Sequence, residues 1–424
     1  MLDPIHRRIR LITISIQLNR TAPQPVDLHH IKLCYSKDTY CGHPRQSGIF
    51  NYGNGEIAVL HSQAPCRYRV RDDISHSFTT GYASRAQIIL QRSLDHGETW
   101  PRAHDVVVWD ESRPLEEKRA LLYRADEPGV AREQIDLASP DAAYYFARPA
   151  TGPGVLGDTP NSIWQVADAE GRPTLECFAF RSGDRGRTWE SVPTRVAHPS
   201  VGSVHRDAHP LVQFPDGTFM GAMSMATAVA PGCIAVYGSD DSGLTWEYVA
   251  EVNHDTTGLG RPTYAGLILL PNGRLQCYML NIGGARNAMQ MAHSDDGGYS
   301  WSTPRPIVAW GHSLWAARRQ PDAARPGVHY RSPWPMRLRD GRIIVLFGRR
   351  KPPFGIGLIV SEDDGATWSA EAIIRADGSG PDLGYPVATQ LDDGRIFTAY
   401  YFMEDDGNNF GGTRYIAGST FLLG

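Results

Sequence analysis

Short apolar runs recur along most of the chain, and pairs of them flank an Asn-Gly or Asp-Gly dipeptide. This arrangement is typical of β-hairpins, because glycine readily adopts the positive φ that a tight two-residue turn requires. The runs at 210–214 and 218–225 form one such pair, and those at 386–391 and 395–402 form another. The pattern therefore predicts antiparallel hairpins. The five dipeptides are Asn54-Gly55, Asp216-Gly217, Asn272-Gly273, Asp340-Gly341 and Asp393-Gly394.

A second turn motif, Ser-x-Asp-x-Gly-x-Thr/Ser-Trp, occurs five times and is called the Asp-box below. Its carboxylate can accept hydrogen bonds from backbone N–H groups of its own turn, and its Trp can pack the hairpin onto the layer beneath. Repetition at a regular period indicates a repeat architecture. The copies are Ser93-Asp95-Gly97-Thr99-Trp100, Ser182-Asp184-Gly186-Thr188-Trp189, Ser239-Asp241-Gly243-Thr245-Trp246, Ser294-Asp296-Gly298-Ser300-Trp301 and Ser361-Asp363-Gly365-Thr367-Trp368.

The two turn series have a fixed phase. From the dipeptide glycine to the Asp of the next box is 24, 23 and 22 residues in the third, fourth and fifth repeats, enough for two strands and one loop. Each repeat is therefore predicted to be a four-stranded blade, A-B-C-D, with the dipeptide joining A to B and the Asp-box joining C to D. The prediction is an all-β, six-bladed β-propeller that forms one domain over residues 1–424.

Two parts of the repeat are irregular. Equivalent positions of the first two boxes, Asp95 and Asp184, are 89 residues apart, which predicts an insertion at roughly 110–160. The last repeat has no box and lacks a fourth strand. The alternating apolar run at residues 9–18 is predicted to supply that strand and to close the ring, since an open sheet edge invites aggregation.

Composition and charge narrow the class of protein. A net charge of −4 gives no sign of a nucleic-acid or anionic-membrane partner, and no apolar run is long enough to span a bilayer. The Arg-rich first residues precede an alternating run without a cleavage site, so they do not resemble a signal peptide. The six cysteines have neither metal-binding nor redox spacing. These features predict a cytoplasmic protein with free thiols.

The topology separates two faces of the propeller. The A–B turns and Asp-boxes lie on one, the bottom face, and the starts of the A strands and the B–C loops lie on the other, the top face. Several arginines on the top face predict an anionic ligand, most simply a carboxylate, although any one of them could instead bind a neighbouring backbone carbonyl. The candidate substrate-binding residues are Arg45, Arg206, Arg261, Arg286, Arg331, Arg349 and Arg350, and the candidate catalytic residues are Tyr385, His209 and Tyr264.

Other polar residues of this face leave alternatives open. His205 and His209 could be metal ligands, but no third ligand is placed with them, so we expect neither a metal nor an organic cofactor. One of these histidines could instead polarise substrate or serve a structural hydrogen bond. Asp72, Asp73 and His76 lie in the first B–C loop.

The Asp-boxes and the blade order resemble the sialidase (neuraminidase) superfamily of BNR or Asp-box repeat proteins over nearly the whole chain. The resemblance implies an arginine triad that binds a carboxylate, a Tyr nucleophile, a Glu that activates it and an Asp acid/base. Arg45 resembles the first arginine, Arg349 or Arg350 the third, and Tyr385 the nucleophile.

The remaining family positions are replaced in this chain, which indicates a diverged active site. By position, the family Glu falls near Tyr264, the second arginine near Leu280 and the acid/base Asp near Arg85. Arg286 could take over from the second arginine, but it lies outside the simple register.

Three functions remain. The first is a sialidase-like exo-glycoside hydrolase acting on a carboxylate-bearing glycan, with Tyr385 as nucleophile. The second is a lyase or hydrolase of uronic-acid glycans in which Tyr264, Tyr385 or His209 transfers a proton. The third is a non-catalytic, glycan-binding propeller. Because Arg45 and Tyr385 match family positions, sialidase-like hydrolysis of an acidic carbohydrate is the leading hypothesis.

Overall fold

The computed structural model describes residues 22–78, 80–150, 176–197, 199, 202–204, 208–227, 232–254, 261–282, 287–310 and 329–424. Within these residues the strands form six antiparallel sheets, which are the blades of a propeller, and the predicted all-β, six-bladed fold is confirmed.

The blades follow one another along the chain. Blade one contains β2 (Thr39–Gly42), β3 (Ile49–Gly53), β4 (Glu56–Pro65), β5 (Gln87–Ser93) and β6 (Val106–Asp110), and blade two contains β7 (Ala143–Ala147), β8 (Cys177–Ser182) and β9 (Thr194–Val196). Blade three contains β10 (Gly202–Val204), β11 (Val212–Gln213), β12 (Phe219–Thr227), β13 (Cys233–Ser239) and β14 (Glu247–His254). Blade four contains β15 (Arg261–Leu269), β16 (Leu275–Ile282), β17 (Asn287–Ser294) and β18 (Arg305–Trp310).

The last two blades have the same order. Blade five contains β19 (Tyr330–Arg337), β20 (Ile343–Arg349), β21 (Gly355–Ser361) and β22 (Ala372–Arg375). Blade six contains β23 (Gly384–Gln390), β24 (Ile396–Glu404), β25 (Thr413–Leu423) and, as its outer strand, β1 (Pro25–Cys34). One α-helix, α1 (Leu115–Leu122), and short 3-10 turns at Pro44–Gln46, Arg71–Ile74, Tyr82–Arg85, Arg102–His104 and Arg124–Asp126 complete the described elements.

An early strand closes the ring, but it is not the one predicted. Strand β1 runs antiparallel to β25, with Pro25 opposite Leu423 and Cys34 opposite Ile416. The predicted closing strand at residues 9–18 lies outside the described residues. Apolar and polar residues also alternate in β1, where Ile31 and Leu33 pack against the core cluster. In the chain, β1 lies immediately before blade one.

The chain between blades one and two falls within the insertion predicted at 110–160, of which residues 151–160 lie outside the described part. Its described part contains α1. Helix residue Lys118 is buried and donates to Glu111 Oε1 at 2.6 Å, while Trp109 Nε1 donates to Glu111 Oε2 at 2.8 Å. The ion pair attaches the helix to the end of β6. Whether the segment is an insertion remains a prediction.

The five Asp-boxes have one hydrogen-bond pattern. In each, the Ser hydroxyl donates to the Asp carboxylate at 2.7–2.9 Å, and the Thr or Ser backbone N–H and hydroxyl donate to the same carboxylate. Burial acts to raise the pKa of Asp95, but the bonds from Thr99 and Ser93 lower it below its ordinary value. Each carboxylate is bonded by residues of its own turn, as expected of structural groups.

The A strands line the axis and carry a feature that shapes the site. In blades four, five and six, two residues of the A strand oppose a single residue of the B strand, which makes a β-bulge at the same height in each blade. The first bulge residue has positive φ although it is not glycine: Tyr264 at 56°, Ser332 at 54° and Tyr385 at 55°. In blade one His43, at 61°, directly follows β2.

Two further features concern the cysteines and the helices. All six cysteines are free and buried. Among the described residues, no helix is both long and apolar enough to cross a bilayer.

Candidate active site

The bulge residues of blades four and six meet above blade five. Tyr264 and Tyr385 have hydroxyl oxygens 2.6 Å apart, and their rings pack edge to face with centroids 5.2 Å apart. The equivalent residue of blade five is Ser332, which is completely buried. A small side chain at this position leaves room for the two phenols to reach each other across the intervening blade.

Arg331 binds both phenols from its position directly before Ser332. Its Nη2 lies 2.7 Å from the Tyr385 hydroxyl and 2.8 Å from the Tyr264 hydroxyl, and its Nε donates to Tyr385 at 3.1 Å. Burial acts to lower the pKa of Arg331, yet its charge interactions with Tyr264 and Tyr385 raise it above the usual value. The guanidinium therefore stays charged. It makes two contacts with Tyr385 and one with Tyr264.

A second guanidinium lies against the same tyrosine. Arg350 has its carbon Cζ 5.7 Å from the centre of the Tyr385 ring, and it donates from Nη2 to the Tyr401 hydroxyl at 2.6 Å and from Nε to the Leu383 carbonyl at 2.9 Å. The Tyr401 hydroxyl in turn donates to Asp382 at 2.8 Å. Arg350 is thus held in place by the residues that lead into β23.

Asp382 is the carboxylate that ends the hydrogen-bond chain from Arg350 through Tyr401. Its second oxygen accepts from Arg414 Nε at 2.9 Å. Burial acts to raise the pKa of Asp382, but the charges of Arg350, Arg414 and His76 lower it below the usual range. Asp382 is therefore ionised, and it balances part of the positive charge around Tyr385.

Imidazoles border the cluster on the side of blade one. His43 is buried, and its ring meets the Tyr385 ring edge to face at 4.7 Å. Its Nδ1 lies 3.1 Å from the Tyr82 hydroxyl, and its Nε2 lies 3.2 Å from Nε2 of His76. The cluster thus combines phenols, guanidinium groups and imidazoles.

Two of the arginine candidates are placed in structural contacts. Arg45 is fully buried, and its Nε donates to the Pro333 carbonyl at 3.0 Å while its Nη2 donates to the Ala265 carbonyl. It therefore joins blade one to the bulges of blades four and five from beneath. Arg349 forms an ion pair with Glu371 and also donates to the Pro353 carbonyl. Consecutive residues of a strand point to opposite sides, so Arg350 faces Tyr385 and Arg349 does not.

His209 is buried in the interior, beside Tyr144. Its ring stacks on Tyr144 with centroids 4.9 Å apart, and burial, aided by the charge of Arg45, lowers the pKa of His209 to about 3. A neutral imidazole in such a place is a packing group. Arg261 is half-buried at the start of β15, the strand that carries Tyr264. Arg206, Arg286 and His205 lie outside the described residues.

Sequence reasoning missed several members of the cluster, among them Tyr401, Asp382 and Arg414. A usable signal was present for the first, because Tyr401 pairs with Gly384 across β23 and β24. Counting back from the Asp393-Gly394 hairpin places Tyr401 beside Tyr385. Asp382 lies in the loop before β23 and Arg414 lies in β25, so their contact depends on the folding of blade six. Within the described parts of the chain, no group of three or more His, Cys, Asp or Glu side chains is arranged to hold a metal ion.

A family profile for BNR repeat-like domains matches residues 160–398, which is more than half of the chain. The chain belongs to the BNR repeat-like family. Solved structures of similar fold extend the comparison of this BNR repeat-like protein to nearly its whole length. A protein of unknown function from Dyadobacter fermentans is 21% identical, with 94% of this chain and 99% of that chain covered and a TM-score of 0.66.

Two trans-sialidases share the fold at lower identity. The leech intramolecular trans-sialidase is 12% identical, covers 93% of this chain and 70% of its own, and has a TM-score of 0.58. The intramolecular trans-sialidase from Ruminococcus gnavus is 14% identical, covers 89% of this chain and 94% of its own, and has a TM-score of 0.57. These likenesses support the sialidase-superfamily resemblance at the level of the fold. None of the curated proteins matches the chain.

Proposed function

We propose that this BNR repeat-like protein is a carbohydrate-active enzyme that hydrolyses a glycoside of a carboxylate-bearing sugar, with Tyr385 as its nucleophile. The observation that carries the proposal is the Tyr385 hydroxyl, which lies 2.6 Å from the Tyr264 hydroxyl and within hydrogen-bond distance of two nitrogens of Arg331. The solved structures of similar fold include glycosidases, which supports the class of reaction but does not identify the substrate.

The contacts favour a negative charge on Tyr385. Arg331 can only donate, so both of its nitrogens present N–H groups to Tyr385, and the proton of Tyr264 can complete a third hydrogen bond to the same oxygen. Three donors around one oxygen stabilise a phenolate, and a phenolate is a far better nucleophile than a phenol. In this chain a tyrosine and an arginine replace the carboxylate that the family resemblance implied as activator.

The reaction follows from this charge. Tyr385 Oη attacks the anomeric carbon, the bond from that carbon to the aglycone oxygen breaks, and the departing oxygen takes up a proton. Water then attacks the same carbon and releases Tyr385. The substrate carboxylate would pair with the guanidinium groups beside Tyr385, those of Arg331 and Arg350, because Nη1 of each makes no hydrogen bond to another described residue.

A second candidate function is elimination on a uronic-acid glycan. It is favoured by the nature of the Tyr385 partners, which are a phenol and a guanidinium and not a carboxylate. In this reaction the Tyr385 phenolate removes the proton next to the substrate carboxylate, the electron pair forms a carbon–carbon double bond, and the glycosidic oxygen on the neighbouring carbon leaves. An arginine beside the carboxylate stabilises the intermediate charge.

One assay separates these functions. The protein is incubated with 4-methylumbelliferyl glycosides of sialic acid and of the uronic acids, and in parallel with uronate oligosaccharides whose ultraviolet absorbance is followed. We expect fluorescence from at least one acidic glycoside and none from the neutral glucoside. An ultraviolet-absorbing unsaturated product would instead establish elimination. Silence in every arm, combined with binding to acidic glycans, would contradict catalysis and leave a glycan-binding propeller.

A further inference from the structure

Two histidines next to Tyr385 make a direct contact. Nε2 of His76 lies 3.2 Å from Nε2 of His43, and the ring centroids are 5.0 Å apart. His76 is exposed, on the loop that joins β4 to β5, whereas His43 is only 2% exposed and packs against Tyr385. The pair therefore connects the solvent side of the top face with the interior of the cluster.

The contact restricts where protons can be. Two imidazole nitrogens that face each other can share only one proton, so one must donate and the other must accept. Nδ1 of His43 lies 3.1 Å from the Tyr82 hydroxyl. If that Nδ1 carries the proton, Nε2 of His43 is an acceptor, and it can receive Nε2–H of a charged His76. In that state Nδ1–H of His76 is the acidic group and is directed away from His43.

The charges around the pair suit a histidine that gains and loses a proton. The negative group is Asp382, whose pKa is lowered in part by the charge of His76. Its partners Arg350 and Arg414 oppose a further positive charge, so the imidazolium is favoured by one carboxylate and limited by two guanidinium groups. Among the described residues, the other titratable groups in ring contact with the pair are the phenols of Tyr40, Tyr82, Tyr385 and Tyr401.

We propose that His76 is the general acid/base of the reaction at Tyr385, and that His43 is a positioning residue that fixes its tautomer. The proposal rests on the proposed function and assigns the proton donor that it leaves open. In the first step Nδ1–H of His76 passes its proton to the leaving oxygen as the glycosidic bond breaks. In the second step Nδ1 takes a proton from the water that attacks the anomeric carbon, and Tyr385 leaves as phenolate. His76 ends each turnover as it began.

The test uses two substrates that carry the same sugar and differ only in the leaving group. A nitrophenolate leaves without protonation, whereas an alcohol or a second sugar does not, so only the latter depends on an acid. For His76→Gln we expect kcat/KM to fall at least about 100-fold on the sugar-linked substrate and less than about 5-fold on the activated aryl substrate, since general acid catalysis contributes about 10²- to 10⁴-fold. The alkaline fall of the wild-type pH profile should disappear in the variant.

His104→Gln is the matched control, because His104 is also an exposed histidine but lies beside the first Asp-box on the bottom face. This variant should leave kcat/KM unchanged on both substrates. His43→Gln tests the positioning role, and it should reproduce the leaving-group dependence of His76→Gln in a weaker form. Thermal unfolding of each variant identifies any loss of fold.

The outcomes are distinguishable from those of the proposed function. Equal losses on both substrates, or no loss on the sugar-linked one, would overturn the assignment of His76 while leaving Tyr385 catalysis intact. A wild-type protein that cleaves neither substrate would overturn the proposed function, and the role of His76 would fall with it. For His76→Gln on the activated substrate, kcat should fall because the second step lacks its base, and exogenous azide should raise kcat by attacking the glycosyl–Tyr385 intermediate. A kcat that azide does not change would overturn the role of His76 in the second step.

Discussion

The two faces of the propeller use the same left-handed backbone conformation for different purposes. On the bottom face each Asp-box turns at a glycine with positive φ, as at Gly97 and Gly298, and in four of the five boxes a non-glycine residue directly before that glycine, such as His96, also has positive φ. The turn is closed by its own Ser, Asp and Thr or Ser side chains. On the top face the first bulge residues of blades four to six, Tyr264, Ser332 and Tyr385, also have positive φ, as does His43 directly after β2. Each strained non-glycine residue costs about 1–3 kcal/mol.

The difference shows which face can change its chemistry. The carboxylate of a bottom turn is bonded by residues of its own turn, so the same residues serve in five of the six blades, although several turns also accept hydrogen bonds from a neighbouring blade. A top bulge places Tyr264, Ser332 or Tyr385 at the same height in its blade, and the two tyrosines have partners in other blades. Positive φ occurs on both faces, so the sign of a site is the meeting of the Tyr264 and Tyr385 side chains from different blades on the top face. Four variants or conditions test this division between the two faces.

The largest expected effect concerns the proposed nucleophile. Tyr385→Phe keeps the ring that packs against His43 but removes the hydroxyl that Tyr264 and Arg331 bind. We expect turnover of the substrate found for the wild type to fall at least about 1,000-fold, equivalent to about 4 kcal/mol of activation free energy. Kinetic assays measure the loss. Tyr299→Phe, at an exposed position in the fourth Asp-box, is the control. Turnover within tenfold of the wild type would eliminate Tyr385 as nucleophile.

Acidification should weaken the fold in two stages that involve different groups. Burial lowers the pKa of His61 to about 4 and that of His209 to about 3, so both must stay neutral in the folded protein. The unfolded chain binds more protons below about pH 6.5, and stability that is complete above that pH is lost as the pH falls towards 4. For His61 alone the loss is on the order of 3 kcal/mol, because one pKa unit is worth about 1.4 kcal/mol.

The Asp-boxes define the second stage. The pKa values of Asp95, Asp184 and Asp241 are below the ordinary value, so their contribution is present above about pH 4 and is lost below it. Urea unfolding from about pH 7.5 down to about pH 3 should resolve both windows. His61→Gln should reduce the first window to the part that His209 contributes and leave the second window unchanged. A stability that does not change between pH 6.5 and 4.5 would contradict the neutral, buried histidines.

Arg331→Lys should cost about 100-fold in turnover, roughly 2.7 kcal/mol. A lysine keeps the charge but cannot present two nitrogens in a fixed fork to Tyr385 while also reaching Tyr264. Arg337→Lys, at an exposed position on the same strand, is the matched control. If lysine restores full turnover, charge alone is sufficient and the fork geometry is irrelevant.

The smallest effect is expected on the bottom face. Asp296→Ala removes the acceptor of the bonds from Ser294 and Ser300 and should destabilise the fold by about 1–2 kcal/mol without changing turnover. Asp95→Ala should do the same, and the double variant should show the sum, since distant sites act independently. Calorimetry and the kinetic assay together measure both quantities. A change in turnover that exceeds the loss of folded protein would break the separation of the two faces.

Much of the fold was predictable because its signals are local. The Asn-Gly and Asp-Gly dipeptides and the Asp-boxes specify turns through side chains only a few residues apart, and their spacing sets the phase of the blades. The closing strand was misplaced, because residues 9–18 and Pro25–Cys34 both alternate and no local signal ranks them. The pairing with β25 in the folded protein shows which run is the closing strand.

The site was predictable as a face but not as a set of contacts. Tyr264, Arg331, Arg350 and Tyr385 were all expected on the top face, and the structure brings them together. Arg45 was predicted on the same grounds, but it lies beneath the bulges and donates hydrogen bonds to backbone carbonyls. Burial of a single arginine depends on the packing of three blades, which no short segment of sequence encodes.

By itself, the sequence determined the turns, the number of blades and the face that bears polar chemistry, because each depends on hydrogen bonds and apolar periodicity within a hairpin. Only the tertiary structure decided which side chains meet. Tyr264 and Tyr385 are 121 residues apart, and their hydroxyls lie 2.6 Å from each other because closure of the ring places blades four and six on either side of Ser332. A contact of that kind is a property of the closed ring.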